Sequence, residues 1–468
     1  MEKIKKNNML EGNIVKSMLI YTIPLIIANV FQLLYSTIDT AIIGHYTDIL
    51  SVDSVSAATP IINIVSFLII GLCNGAAILM SEFYGAKNKE KLKQEIGLCI
   101  TIFSIFAIAV SVGLMIFSRP LLAATRVKPE LLDGANTYLI VSMIGVLFIT
   151  IYTIIFTALR SIGDSLTPLI LLIVSCLINV VLDFIFVAGL KQGILGAALA
   201  TIIAQGLTMI VAILYVVIRK EEFRLKPSDF KVRKELFKRT LKYSIASALQ
   251  QVVLYIGKAL VQTQINNLSF EEQAGYAFGT KIDDYALEPS KCIGQAVAVF
   301  IAQNRGAKQA KRAKRGYLYG LVMQWSMALV LSILVLTLRF NLVKIFTKDS
   351  DARMYAAMYL GVMGFIYLMP GTTNGLQSYF RGLGNLLIVF LSTSFQIIFR
   401  VTSAYIFIPM YHVRGAAFST FTGWVFMILF ELPILIVFWK KNIRMPEEES
   451  KEGLNMETIE EEKMTSLS

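Results

Sequence analysis

Long apolar stretches, each about the length of a membrane-spanning helix, recur along almost the whole chain. A helix needs about 20 mostly apolar residues to cross a hydrocarbon core about 30 Å thick. Twelve stretches meet this requirement, with approximate limits 17–43, 56–80, 94–117, 136–157, 167–189, 195–218, 239–262, 276–300, 317–338, 353–376, 386–408 and 415–438. The pattern predicts an all-α polytopic membrane protein with twelve transmembrane helices.

The composition supports the same class of protein. Of the 468 residues, 56% are hydrophobic and 16% are charged, against about 45–50% and 25% in soluble domains. The four cysteines stand singly, and both histidines lie in short connections, so neither a disulfide framework nor a metal centre is expected. The sequence also has no P-loop and no Ser-His-Asp arrangement. We therefore expect neither an enzyme, nor an ATP-driven pump, nor a bound cofactor.

The basic residues orient the predicted helices. With a cytoplasmic N-terminus, the cytoplasmic side receives 31 of the 44 Lys and Arg residues and the opposite side receives 9. Positively charged loops remain in the cytoplasm, so both termini are predicted there. Such loops suit anionic lipids better than nucleic acid. The basic run 229–239 fits either a short interfacial helix or a solvated linker.

Short motifs repeat at a nearly constant spacing and indicate a duplication. The motif at Gly85 recurs 221 residues later, the motif at Arg160 does the same, and Gly196-Ala-Ala recurs after 219 residues. Two six-helix units with the same orientation, flanking a central cleft, suit a transporter with alternating access. The predicted divisions are an N-terminal arm (1–16), an N-lobe (17–218), a cytoplasmic linker (219–238), a C-lobe (239–440) and an acidic cytoplasmic tail, predicted to be disordered (441–468).

Four polar residues should meet in the outer half of the N-lobe. Asp39 lies near the outer end of helix 1, Asn179 and Asp183 share one face of helix 5, and Thr201 lies at a similar depth in helix 6. Ionisable groups inside a membrane cost about 2.5–3.5 kcal/mol and so indicate function. These oxygen ligands suit Na⁺ or H⁺ as a coupling ion. The alternative is a polar clamp that only joins helices. Pro24 in helix 1 is either a hinge that responds to the ion or a static kink.

Charged residues in the second half allow two interpretations. Asp284 and Glu288 share a face of helix 8 with Lys291. They either recognise a cationic substrate in the cavity, together with Tyr35 of helix 1, or form ion pairs with Lys258, Lys291 and Arg400. No copy of the N-lobe carboxylates is found at the equivalent positions of the C-lobe.

Several motifs in order resemble multidrug and toxic compound extrusion (MATE) transporters of the bacterial type. They are the loop 81–88, its twin 302–309, the helix 1 pattern Ile23-Pro24…Asp39…Gly44, and 159–164. The resemblance covers roughly 15–440 and implies a cation site at Asp39, Asn179, Asp183 and Thr201. Some members carry an acid in helix 7 where this chain has Gln250 and Gln251.

The resemblance implies a secondary antiporter in the cell membrane. It would extrude small organic, often cationic, compounds in exchange for Na⁺ or H⁺, with membrane lipids as its surroundings and a monomer as its functional state. The residues suit Na⁺ and H⁺ alike. The alternative is a flippase for lipid-linked precursors on a related two-lobed fold, which would favour a cationic cavity formed by Lys258, Lys291 and Arg400.

Overall fold

The computed structural model describes residues 9–47, 49–125, 127–219 and 221–440. The predicted acidic tail and the first half of the N-terminal arm lie outside the described residues, as does the side chain of Asp39. Within the described ranges the chain forms thirteen α-helices: α1 (Ile14–Tyr46), α2 (Ile49–Gly85), α3 (Lys89–Ala124), α4 (Pro129–Ser161), α5 (Leu166–Asp183), α6 (Gly193–Arg219), α7 (Lys234–Ile265), α8 (Phe270–Gly306), α9 (Ala310–Lys344), α10 (Ser350–Ile366), α11 (Leu368–Gly382), α12 (Leu386–Tyr411) and α13 (Val413–Lys440). A π-helical turn, Phe184–Gly189, continues α5.

The thirteen helices make the twelve predicted membrane spans. Ten helices of the described chain are long and apolar enough to cross a membrane alone. The helices α10 and α11 form one further span, which is bent by 51°. The twelfth span is α8, whose 37 residues extend for about 56 Å, although its charged residues lower its hydropathy. The predicted all-α, twelve-span architecture is confirmed.

The bent span differs from the single helix predicted over 353–376. The first segment, α10, ends at Ile366, and the chain resumes a helix at Leu368. Pro370 has no N–H to donate to the carbonyl of Ile366, and its ring collides with that carbonyl in a regular helix. The position of the break therefore follows from the proline four residues later.

The backbone repeats between the two halves as the motifs do. Residues with positive φ occur in pairs that are 221 positions apart. The pairs are Lys87 and Lys308 (φ 56° and 58°), Gly163 and Gly384 (90° and 81°), and Lys191 and His412 (53° and 54°). Such conformations are rare for residues with a side chain. Their recurrence shows that corresponding helices end in the same kind of turn in both halves.

The segment that joins the halves lies against α3. It contains two short 3₁₀ turns, Glu221–Phe223 and Pro227–Phe230, and α7 then begins at Lys234. The hydroxyl of Thr101 donates to the carbonyl of Phe230 at 3.5 Å. The basic run 229–239 is therefore part 3₁₀ turn and part first turn of α7, rather than a separate interfacial helix.

The two lobes meet where α2 of the N-lobe crosses α7 and α8 of the C-lobe. Gly85 and Gly306 occupy equivalent positions, and each contacts the backbone of the opposite lobe. A Cβ at Gly85 would collide with the carbonyl of Gln303, and a Cβ at Gly306 would collide with the carbonyl of Glu82. The crossing is therefore tight and follows the twofold relation of the repeat.

Candidate functional site

The end of α5 places two polar side chains inside the N-lobe. Asn179 is 2% exposed and Asp183 is fully buried, although the rest of α5 is apolar. One helical turn separates them, so both point to the same side. The π-helical turn begins directly after Asp183. Such turns are rare and often accompany functional sites.

The amide of Asn179 connects three helices. Its oxygen accepts from the peptide N–H of Thr201 in α6 at 3.3 Å when its nitrogen faces α1. In that orientation the nitrogen lies 2.7 Å from the hydroxyl of Tyr35 and 2.7 Å from Oδ2 of Asp183. This choice follows from the surrounding donors and acceptors. The structure thus brings together Asn179, Asp183 and the backbone of Thr201, as the sequence analysis expected.

Two details of this site differ from the expectation. The hydroxyl of Thr201 donates to its own helix, at the carbonyl of Ala197 (3.0 Å), so Thr201 reaches Asn179 through its backbone. Tyr35, which the sequence analysis placed in the substrate cavity, instead contacts the amide of Asn179. The contact could not be read from sequence because it depends on how α1 packs against α5.

Asp39 and Pro24 both lie in α1. Asp39 follows Tyr35 by one helical turn, but its side chain is not among those described. The helix α1 is continuous through Pro24, so the hinge remains a prediction. Within the described part of the chain, no three His, Cys, Asp or Glu side chains gather into a metal centre.

The charged residues of α7 and α8 form two ion pairs. Nζ of Lys258 lies 3.1 Å from Oδ1 of Asp284, and their side chains are 61% and 43% exposed. Nζ of Lys291 lies 2.6 Å from Oε1 of Glu288. The other oxygen of Glu288 accepts from the amide of Asn29 in α1, at 3.1 Å. Both acids proposed for the cavity therefore have basic partners, and Glu288 also contacts the N-lobe.

Arg400 belongs to neither of these pairs. It lies near Tyr276 and Asp283 inside the C-lobe, at the position equivalent to Asn179. The C-lobe thus carries a guanidinium where the N-lobe carries an amide. A cation site like that of the N-lobe does not fit there.

A buried ionic cluster between the lobes was missed by the sequence analysis. Both oxygens of the Glu82 carboxylate lie 2.8 Å from Nη2 of Arg239, and Oε2 lies 3.2 Å from Nη1 of Arg305. The side chains of Glu82 and Arg305 are 3% and 1% exposed. Nearby, the amide of Gln303 donates to the carbonyl of Ser161 at 2.7 Å. Each of these four contacts joins the N-lobe to α7 or α8.

The signal for this cluster was present in the repeated loops. Glu82 and Gln303 are equivalent positions, three residues before the glycines of the repeat, and Arg305 directly precedes Gly306. The motif was recognised, but its residues were given no role, because only the crossing of α2 and α8 brings Arg305 to Glu82.

Comparisons with known proteins agree with this architecture. The chain is 26% identical over 379 residues to the probable multidrug resistance protein YoeA of Bacillus subtilis, covering 80% of this chain and 82% of that one. It is 22% identical to the probable multidrug resistance protein NorM of Thermotoga maritima, covering 93% and 96%. An outward-facing structure of a multidrug resistance MATE family transporter of the MOP superfamily is similar, with a TM-score of 0.87 at 20% identity, covering 94% of this chain and 100% of that one.

The family assignment rests on both halves of the chain. The MatE family matches residues 24–185 and, separately, residues 246–406. The two stretches correspond to the two repeats and together cover more than half of the chain. The described geometry, with twelve spans in two lobes and a buried polar site in the first, agrees with this match. The chain belongs to the MatE family of multidrug and toxic compound extrusion transporters.

Proposed function

We propose that the protein is a secondary antiporter that extrudes small organic, often cationic, compounds from the cytoplasm in exchange for Na⁺ or H⁺. The family and its curated relatives establish transport of the efflux type. The coupling ion, the exchange and the alternating access of the lobes are the parts proposed. The observation that carries the proposal is the amide of Asn179, 2.7 Å from Asp183 inside a spanning helix.

This amide suits two protonation states of Asp183. When Asp183 is ionised, the nitrogen of Asn179 donates to its carboxylate. When Asp183 is protonated, its O–H can donate to the amide oxygen after a half-turn of the amide, because 2.7 Å is the usual O–H···O distance. The N–H of Thr201 favours the first state, since it would face the amide NH₂ after the half-turn. Release of the proton would therefore be coupled to a change in α1 contacts through Tyr35.

Na⁺ can use the same turned amide. The carboxylate of Asp183, the amide oxygen of Asn179 and the hydroxyl oxygen of Tyr35 are hard oxygen ligands, the type that small hard cations prefer. The site therefore supports exchange with either ion, and the ion is to be decided by experiment.

The contacts between the lobes support alternating access. The cluster of Glu82, Arg239 and Arg305 and the glycine crossing at Gly85 and Gly306 lie at the ends of α2, α7 and α8 that carry most of the basic residues. By the distribution of charge these ends face the cytoplasm, which also puts both termini there. The described state is then closed to the cytoplasm, and inward opening requires these contacts to break.

The ion pairs of the C-lobe bear on the substrate. Lys258 with Asp284 and Lys291 with Glu288 each combine one positive with one negative charge. A flippase for anionic lipid-linked precursors requires a net positive cavity, and these pairs do not provide one. The exposed carboxylate of Asp284 can instead exchange Lys258 for a cationic substrate.

Transport in inverted membrane vesicles tests the proposal. We would measure uptake of a fluorescent organic cation with Na⁺ and pH gradients imposed separately, for the wild type, Asp183→Asn and Asp133→Asn. Asp133 is a matched control, because its side chain is 82% exposed in a surface ion pair with Arg119. Gradient-driven uptake should be lost in Asp183→Asn alone. Equal uptake in all three proteins would make the Asn179–Asp183 site a structural clamp.

A further inference from the structure

A groove on the flank of the C-lobe has the shape and charge of a lipid site. It has a volume of about 670 Å³ and lies between α9, α10 and α13. Met354, Gly361 and Phe365 of α10 form its floor, and Arg339 and Arg414 lie on its two sides. The described lining contains these two arginines and no carboxylate.

The groove opens away from the cleft between the lobes. The opposite face of α10 packs on α8, where Tyr355 and Tyr359 contact Gly275 and Gly279. Because α8 faces α1 and α2 of the N-lobe, the other side of α10 faces the membrane. The 77% exposure of Phe365 agrees with contact to lipid chains.

The dimensions of the groove match one acyl chain in one leaflet. From Met354 to Phe365 the helix rises by about 16 Å, which is about half of a hydrocarbon core of about 30 Å. The helix α10 begins at Ser350, near the face predicted to be extracellular. The groove therefore runs from that interface towards the middle of the bilayer.

The two arginines need an anion at the interface. Among the described residues, neither Arg339 nor Arg414 forms a salt bridge. Nη1 of Arg339 donates to the carbonyl of Leu336 at 3.2 Å, and its guanidinium lies over the floor at Gly361. The predicted extracellular side holds few other basic residues. A charged group at this depth is costly unless it is paired, and guanidinium groups bind phosphate through two parallel hydrogen bonds.

We propose that this groove binds an anionic phospholipid of the outer leaflet. One acyl chain lies along Met354, Gly361 and Phe365, and the phosphate is held between Arg339 and Arg414. The site is separate from the ion site of the N-lobe and does not depend on which ion is coupled. Its ligand is a component of the membrane rather than a transported compound.

Native mass spectrometry of the delipidated protein, titrated with phosphatidylglycerol, phosphatidylcholine or inorganic phosphate, tests this proposal. Three proteins are compared with the wild type: Arg339→Gln with Arg414→Gln, Gly361→Leu, and Arg119→Gln with Arg353→Gln as a control of equal charge. The leucine fills the groove without a backbone collision, because only the Arg339 side chain lies within 4 Å of a Cβ there. It therefore tests the acyl chain separately from the phosphate.

The wild type should bind phosphatidylglycerol more tightly than phosphatidylcholine. We expect both groove variants to lose at least about tenfold in affinity for phosphatidylglycerol, since charge-assisted hydrogen bonds contribute about this much, and the control pair to keep the wild-type affinity. Equal binding of the two lipids would overturn the proposal, as would full binding by Arg339→Gln with Arg414→Gln. Binding of inorganic phosphate as tight as that of the lipid would instead indicate a free-anion site, and displacement of the lipid by a transported organic cation would indicate a substrate site.

Discussion

Replacing Glu82 with Gln should open the protein on its predicted cytoplasmic side. Glu82 accepts from Arg239 at 2.8 Å through both oxygens and from Arg305 at 3.2 Å. Glutamine keeps the size of the side chain but removes the negative charge between two guanidinium groups. When the lobes separate, water hydrates both arginines. The loss therefore applies to the closed state and much less to the open one.

The size of this effect follows from burial. Removing one member of a buried ion pair costs about 3–5 kcal/mol. The Arg239 side chain is 33% exposed, so water screens part of its interaction, and we take about 2–3 kcal/mol for the closed state. Since about 1.4 kcal/mol is a factor of ten, the closed-to-open ratio should fall by about 30- to 150-fold.

Electron–electron distance measurements can follow the opening. Spin labels at Lys89 and Lys311, exposed at the starts of α3 and α9, report the separation of the lobes in a variant without the four buried cysteines. Glu82→Gln should add a population at longer distance. The matched control is Glu90→Gln, because Glu90 is exposed and contacts Gln94 within its own helix (3.0 Å). If both variants show the wild-type distribution while remaining folded, the cluster does not hold the lobes together and the reasoning is refuted.

Three further predictions concern other parts of the molecule. Gly85→Ala should lower transport several-fold, because its Cβ would collide with the Gln303 carbonyl, whereas Gly113→Ala, with open space around it, should transport normally in the same vesicles. Pro24→Ala should weaken the dependence of transport on the ion gradient if Pro24 is a hinge, and unchanged dependence would leave a static kink. Arg312→Gln should lower thermal stability by about 1–2 kcal/mol, because Arg312 donates to the backbone of the N-terminal arm at Met9, Glu11 and Gly12; an unchanged melting temperature would show that the arm adds no stability.

Much of the fold could be predicted from the sequence because the lipid environment simplifies the problem. In a membrane every backbone polar group must be paired internally, so apolar stretches of about 20 residues form helices. The duplication was also readable, since the turns at Lys87 and Lys308 require the same unusual backbone. Local spacing was enough to place Asn179 and Asp183 on one face of α5. These features depend on residues close in the chain or on a regular repeat.

The tertiary structure decided which distant residues meet. The contact of Tyr35 with Asn179 depends on the packing of α1 against α5, and the contact of Arg305 with Glu82 joins residues 223 positions apart. Hydropathy and spacing describe one helix at a time and carry no information on how two helices cross. The sequence therefore determined the helices, their number and their repetition. The buried ionic cluster between the lobes and the groove beside Arg339 follow only from the way the helices pack.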